Sequence, residues 1–462
     1  MSAASADIGR FFSPGSIAII GASANPQKIG YVVLDNLLRG RYGGRLYPVN
    51  PRSEQILGLR AYASVLALDE TPDLAVITVP TRAVAGVLRE CGEKGVRAAL
   101  VITAGFRETG AQGRAAEDEL LAIARQHGIR LVGPNSVGLI NTAARMNATF
   151  AETAPVEYEV GMFSQSGAVA AAILDWARSI DLGFSKFVSL GNMADLTEVD
   201  FLDYLGGDAE TNIIVGYLEG LSDGRGFFQA ARRVTMNKPL IVIKVGSTPA
   251  GRSAASSHTG ALASSDAVVD GAFRQAGIIR ATTMAEFFDY VLCFSYAPLP
   301  AGPRVAVVTN AGGPGVMAAD AIERSGLSLA RLSAETAGAL RSSLPEAAAT
   351  GNPIDVLGDA GSDRYQLALE LAQADPNVDA VLALLTPQRV TEPERTARAI
   401  SYLARLQEKP VLAVFMGGDA VSRARTLLDA SRVPVYAYPE RAVRALGAMV
   451  RYGAYRAETA AG

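Results

Sequence analysis

Two short stretches carry residues suited to phosphorus chemistry: Ser256-Ser257-His258-Thr259-Gly260 and Ser164-Gln165-Ser166-Gly167. The chain has only 2 histidines. His258 lies in a Gly/Ser/Thr-rich run after an apolar strand-like segment, where catalytic groups often gather. It lacks the second histidine, cysteine pair or nearby carboxylates that zinc requires. Ser164–Gly167 leads from a short apolar run into a small-residue helix, so its amides and hydroxyls can face an anion. The same residues read equally as a serine cap on a helix, and both readings stay open at this level. FSQSGA does not have the Gly-x-Ser-x-Gly spacing of a nucleophile elbow. A third stretch, NAGGPG, leaves the amides of Gly312, Gly313 and Gly315 unobstructed around a proline that a helix start tolerates. Beside partially positive helix starts, a neutral imidazole that gains negative charge by phosphorylation fits better than a permanent imidazolium. His258 is therefore read as a phosphate-accepting nucleophile. His127, in the helix-like AIARQHG, has a routine helix-end placement.

The elements that must position these residues follow from periodicity. Near-continuous apolar runs at 16–21, 74–79, 98–103 and 129–133 alternate with helix-period segments such as Thr81–Lys94 and Gln112–His127. That alternation predicts a parallel sheet covered on both faces, the doubly wound α/β class. A second series runs through 160–163, 186–190, 212–218 and 239–245, and a third through 304–309, 379–385 and 410–416. PLPAGP (298–303) interrupts the pattern as a linker does. Three units are expected, at 1–150, 151–297 and 303–462.

In the first unit, strand IAIIG runs into GASANPQKIG (21–30). Glycine after a strand lets backbone approach a phosphate, and Lys28 near the next helix start suits an extended, phosphate-rich ligand. The loop lacks Gly-x-Gly-x-x-Gly spacing, so a standard NAD pyrophosphate site is not expected. A plain strand–helix turn remains the other reading of this loop alone. YPVNP, TVPTR, TAGF and GPNSVG add polar turns at strand ends, where such sheets bind ligands.

At 462 residues, 49% apolar and 19% charged, with a net charge of −3, the chain is expected to be globular, soluble and cytoplasmic, without affinity for nucleic acid or membranes. No secretory leader or spanning run is expected. Cys91 and Cys293 are expected as buried free thiols.

Taken in order, GAS, GPN, SQSG, SSHTG and NAGGPG resemble the α subunit of NDP-forming acyl-CoA synthetases, relatives of succinyl-CoA synthetase, over essentially the whole chain. The resemblance implies a Rossmann-like CoA-binding domain followed by two flavodoxin-like ligase domains. It implies that His258 carries the phosphoryl group, that Glu219 in VGYLEG orients the ring, and that Ser164, Gln165, Ser166, Gly167, Gly312, Gly313 and Gly315 hold phosphate. It places CoA contacts at Gly21, Ser23, Lys28, Asn50, Pro51, Val79, Pro80 and Asn135. Ser136 departs from the cysteine expected in many relatives. No ATP-grasp module or Gly-x-x-x-x-Gly-Lys-Ser/Thr loop is expected here, so ADP/ATP and Mg2+ would bind a separate ATP-grasp β subunit, in an α2β2 assembly. The His258 loop would swing between the two sites. The rival expectations are a non-catalytic CoA-binding regulator and an NAD-dependent dehydrogenase.

Overall fold

The alternating apolar runs form three mainly parallel sheets in the computed structural model, which describes residues 3–152, 157–180, 182–251, 266–406 and 408–461. With their flanking helices they give a three-domain α/β architecture. By compactness the chain divides into two units, Met1–Thr282 and Thr283–Gly462.

The first sheet runs Arg45–Val49, Ser16–Ile20, Leu74–Ile77, Ala98–Val101, Arg130–Val132, all parallel. Both faces are covered, so Ser16–Ile20, Leu74–Ile77 and Ala98–Val101 are buried along their whole lengths. Helix Ile29–Arg39 buries Val33, Leu34 and Leu37, a helix-spaced stripe. Each such leucine contributes about 1.5–3 kcal/mol on burial. Pro48 lies in the edge strand, where its missing N–H breaks no central ladder. From Ser16–Ile20 the sheet grows to one side through Arg45–Val49 and to the other through Leu74–Ile77. That reversal opens a crevice beyond the strands' carboxyl ends.

The second sheet runs Ile279–Ala281, Leu240–Lys244, Ile213–Leu218, Glu157–Ser164, Phe184–Ser189, then the antiparallel hairpin Gly138–Asn141 and Met146–Thr149. Residues 138–149, assigned by the apolar pattern to the segment 1–150, thus pair with the next sheet. The hairpin is buried despite its polar content because its amides are used. Asn141 Nδ2 donates to the Phe12 carbonyl at 2.8 Å. Asn36 Nδ2 donates to the carbonyls of Thr149 and Ala151 at 2.9 and 3.0 Å.

In the second compact unit the order is Ser328–Leu329, Arg304–Thr309, Ala380–Leu385, Val411–Phe415, Val435–Tyr436, with Ile354–Asp355 also against Arg304–Thr309. Helix Met284–Tyr296 precedes the proline-rich linker yet packs here. Arg441 grips Asp289 through two nitrogens at 2.9 and 2.6 Å, and the Tyr436 hydroxyl donates to the Asp289 carbonyl at 3.0 Å. Cys293 lies fully buried on that helix; Cys91 is equally buried in the first unit, and both thiols are free. Burial pushes each up to about 12. Among the described residues, no helix is long and apolar enough to cross a membrane.

Candidate functional site

At the crevice of the first sheet, Gly21 takes a left-handed φ of 98°. A Cβ on Gly30, in the first turn of the next helix, would lie 2.1 Å from the Gly21 carbonyl oxygen. Glycine at 30 therefore lets the helix press its start against the strand end. Lys28 is the N-cap of that helix but supplies no side-chain acceptor, and it is exposed. The helix start is thus uncapped by its N-cap side chain, an end whose N–H groups can hold an anion. Ser23 Oγ accepts from Asn25 N at 3.1 Å, and Asn50 Nδ2 ties the next strand end to the Ala22 carbonyl at 2.8 Å. Pro51 is exposed beside it. Across the crevice, Val79 is half-buried, its carbonyl accepting from Thr103 Oγ1 at 2.7 Å. Pro80 caps helix Thr81–Lys94 from an exposed position. The rim residues named from sequence thus lie at the carboxyl ends of adjacent strands.

Asn135 stands further along the same rim, exposed, with φ 60°. Its neighbour Ser136 is buried, donating to the Ser189 carbonyl at 2.5 Å and accepting from Gly138 N at 3.0 Å. That bond pair uses a hydroxyl in both senses, which explains why serine serves well here.

The second sheet supplies the opposing wall. Ser164 Oγ donates to the Ser166 carbonyl at 2.8 Å. Ser166 caps helix Gly167–Ser179, accepting from Val169 N at 3.4 Å. A Cβ on Gly167 would meet Val137 at 2.6 Å. Gln165 bonds the loop after strand Ile213–Leu218 through both ends of its amide, and its Nε2 also donates to Met193 Sδ at 3.6 Å. Its Oε1 accepts from Glu219 N (2.6 Å) and Gly220 N (3.0 Å), while Nε2 donates to the Gly220 carbonyl (2.8 Å). Further along this loop, buried Glu198 Oε1 accepts from Ser222 N and Oγ, each at 3.0 Å. Lys244 Nζ donates to the Glu219 carbonyl at 2.9 Å. The loop bearing Glu219 is thus pinned by three side chains from different elements.

Asn135, Gln165 and Glu219 line one cavity of about 320 Å³, together with Arg107, Glu108, Glu117, Asn192 and Met193. Asn192 Nδ2 donates to Glu108 and to Glu117, both at 2.7 Å. Burial alone would raise Glu108, but Asn192 and the N–H groups of Gly105 and Phe106 outweigh it and hold the carboxyl below its ordinary range. Arg107 Nε lies 3.5 Å from Glu117. Sequence reasoning missed Glu108, Glu117, Asn192 and Lys244. Glu108 follows TAGF, whose strand-end position was the one available signal.

His258 lies outside the described residues. Gly312, Gly313 and Gly315 open helix Gly312–Arg324 in the second compact unit, where N-cap Ala311 supplies no side-chain acceptor. Gly313 is open to solvent space, whereas a Cβ on Gly315 would press Thr309 at 3.3 Å. His127 ends helix Ala111–His127, packed against Gly92. Among the described residues, no three His, Cys, Asp or Glu side chains gather as a metal-ligand group.

Three family descriptions match in succession: a CoA binding domain over 15–142, a succinyl-CoA ligase like flavodoxin domain over 157–294 and a ligase-CoA domain over 305–460. The chain is 44% identical to the acetate–CoA ligase [ADP-forming] II subunit alpha of Pyrococcus furiosus, over 96% of this chain and 97% of that one. It is 43% identical to acetate–CoA ligase [ADP-forming] I of Archaeoglobus fulgidus, covering 96% of this chain but 63% of that longer relative. Its fold is similar to the dinucleotide forming acetyl-coenzyme A synthetase 1 of Ca. Korarchaeum cryptofilum, in complex with phosphate and ADP. The TM-score is 0.94 and the identity 38%, over 98% of each chain.

Proposed function

This chain belongs to the α subunits of ADP-forming acid–CoA ligases, and from that membership we propose how its residues divide the reaction. The observation that carries the reading is the shared cavity: the CoA-domain rim at Asn135 and the Glu219 loop face one space of about 320 Å³. The crevice from Gly21 to Pro80 binds CoA, with the open helix start and Lys28 taking its diphosphate. The thioester end enters the cavity beside Glu219.

There phosphate attacks the acyl carbon, the C–S bond breaks, and the thiolate leaves with the phosphate's proton. His258 then attacks phosphorus with one ring nitrogen, and the P–O bond to the acyl group breaks to release the carboxylate. Glu219 accepts a hydrogen bond from the other ring nitrogen and stabilises the positive charge that develops there. The helix starts at Gly167 and at Gly312 to Gly315 are the phosphate-holding elements, with Ser164 and Ser166 shaping the first. Gln165, whose amide bonds the loop, holds Glu219 in place.

Phosphohistidine passes its group to ADP with Mg2+ on an ATP-grasp β subunit in an α2β2 complex. The subunit name of the Pyrococcus relative supports a partner chain. Acetyl-CoA with labelled phosphate tests the reading. The wild-type chain takes up acid-labile, base-stable label, His258→Asn takes up none, and Glu219→Gln takes it up at least tenfold more slowly. Equal labelling of His258→Asn overturns it.

A further inference from the structure

The Glu219 backbone is held from both neighbouring strands. Strand Ile213–Leu218 lies between Glu157–Ser164 and Leu240–Lys244. Gln165, just past the first neighbour, accepts from Glu219 N; Lys244, the last residue of the second, donates to the Glu219 carbonyl at 2.9 Å and to the Val245 carbonyl at 2.6 Å. Lys244 is half-buried, and among the described residues it forms no ion pair and donates to these two neutral carbonyls. Burying a charge without a counter-charge is costly unless the charge is used. The adjacent cation shows the contrast. Arg280, on the next strand, is neutralised by Asp266 at 2.5 Å and Asp270 at 3.3 Å. Burial first, then Arg280, pulls Lys244 below the ordinary lysine range, while the charges of Asp266 and Glu219 oppose that fall. The charge of Glu219 is therefore felt at Lys244. The neighbouring Tyr217 is also raised, by burial first and then by Glu219.

We propose that Lys244 is a positioning residue of the ligase reaction, one that fixes the Glu219 backbone and sets a positive charge behind its carboxylate. The inference rests on the reading of Glu219 as the partner of the histidine, and it adds a residue that neither sequence spacing nor family description marks. A lysine that served only to join two strand ends would affect folding and substrate binding together. A lysine that orients Glu219 affects phosphoryl uptake while leaving the CoA crevice, on the other sheet, untouched.

The test uses the full chain, acetyl-CoA and 32P-phosphate, with the initial rate of label uptake and the acetyl-CoA dissociation constant measured side by side. Lys244→Met is expected to slow uptake at least tenfold and to leave the dissociation constant within twofold. Lys244→Cys is expected to match it, and treatment with 2-bromoethylamine, which rebuilds an ammonium at nearly the lysine length, restores at least a third of the wild-type rate. Cys91 and Cys293 are buried and held as thiols, so the reagent finds residue 244. Uptake within twofold of wild type in Lys244→Met overturns the proposal. So does a joint loss of uptake and acetyl-CoA binding that alkylation does not restore. Should Lys244→Met fail to fold, the cysteine variant before and after alkylation carries the same comparison. Glu219→Gln is run in parallel: wild-type uptake in that variant removes the parent reading and this one with it. Slow Glu219→Gln with unaffected Lys244→Met removes only the lysine.

Discussion

Replacing Gln165 by leucine removes three hydrogen bonds to the Glu219–Gly220 backbone and keeps most of the side chain's volume. Such bonds contribute about 0.5–1.5 kcal/mol each after exchange with water. The loop borders a cavity, so water re-forms part of what is lost, and a net cost of about 2 kcal/mol is expected. In a unit of this size that lowers the melting temperature by about 3–4 °C. The catalytic consequence is larger than a stability loss alone. If the loop spends that free energy leaving its productive conformation, label uptake from acetyl-CoA and phosphate falls about 30-fold, since about 1.4 kcal/mol is tenfold. Gln165→Glu separates geometry from volume: it keeps an acceptor for the two N–H groups, loses the donor to the Gly220 carbonyl and adds a negative charge near Glu219. Calorimetric melting and 32P uptake measure both effects. A melting temperature within about 1 °C of wild type, with uptake within twofold, refutes the claim that Gln165 works by holding the loop.

Three further outcomes are expected. Asn192→Leu leaves Glu108 and Glu117 facing each other without their shared donor, so the variant is less stable than wild type at neutral pH in urea unfolding. Because Glu108 is held low in the fold, its contribution is present above the unfolded carboxylate range, about 4.3, and is lost as pH falls through the folded value; the gap between variant and wild type therefore narrows in acid. Gly30→Ala forces a Cβ against the Gly21 carbonyl at 2.1 Å, which displaces the helix start and weakens CoA binding at least tenfold by calorimetry. Ser136→Ala strips two bonds from a buried site and costs about 1–3 kcal/mol in denaturant unfolding, with CoA affinity within threefold.

The strands that build the site were legible because parallel strands covered on both faces are apolar throughout, as in 213–218 and 304–309. Hairpin 138–149 was not, since Asn141 and Thr149 look like loop residues until tertiary hydrogen bonds to Phe12 and Asn36 use them, and Asn147 until it bonds Thr149. Edge strand Ile279–Ala281 is short and carries Arg280, so periodicity has little to register. Helix Met284–Tyr296 gave no sign of its allegiance, which depends on Asp289 meeting Arg441 across 152 positions of sequence. Within the site, glycine loops announced themselves through spacing. Gln165 was named for phosphate because its neighbours form a loop before a helix; its actual commitment to Glu219 and Gly220, 54 and 55 positions away, depends on which strands are adjacent. Asn192, Glu108 and Lys244 were hidden for the same reason: their roles come from partners brought near by topology.

The central claim is that one imidazole in this chain takes phosphorus from an acyl donor with the help of Glu219. Its most direct test is tryptic mapping after incubation with acetyl-CoA and 32P-phosphate. Cleavage after Arg252 and Arg274 releases Ser253–Arg274, in which His258 is the sole histidine. The account predicts that this peptide carries the label, stable in base and lost in acid, and that Glu219→Gln depletes it. Label on any other peptide, or undiminished label on this one in Glu219→Gln, contradicts the account.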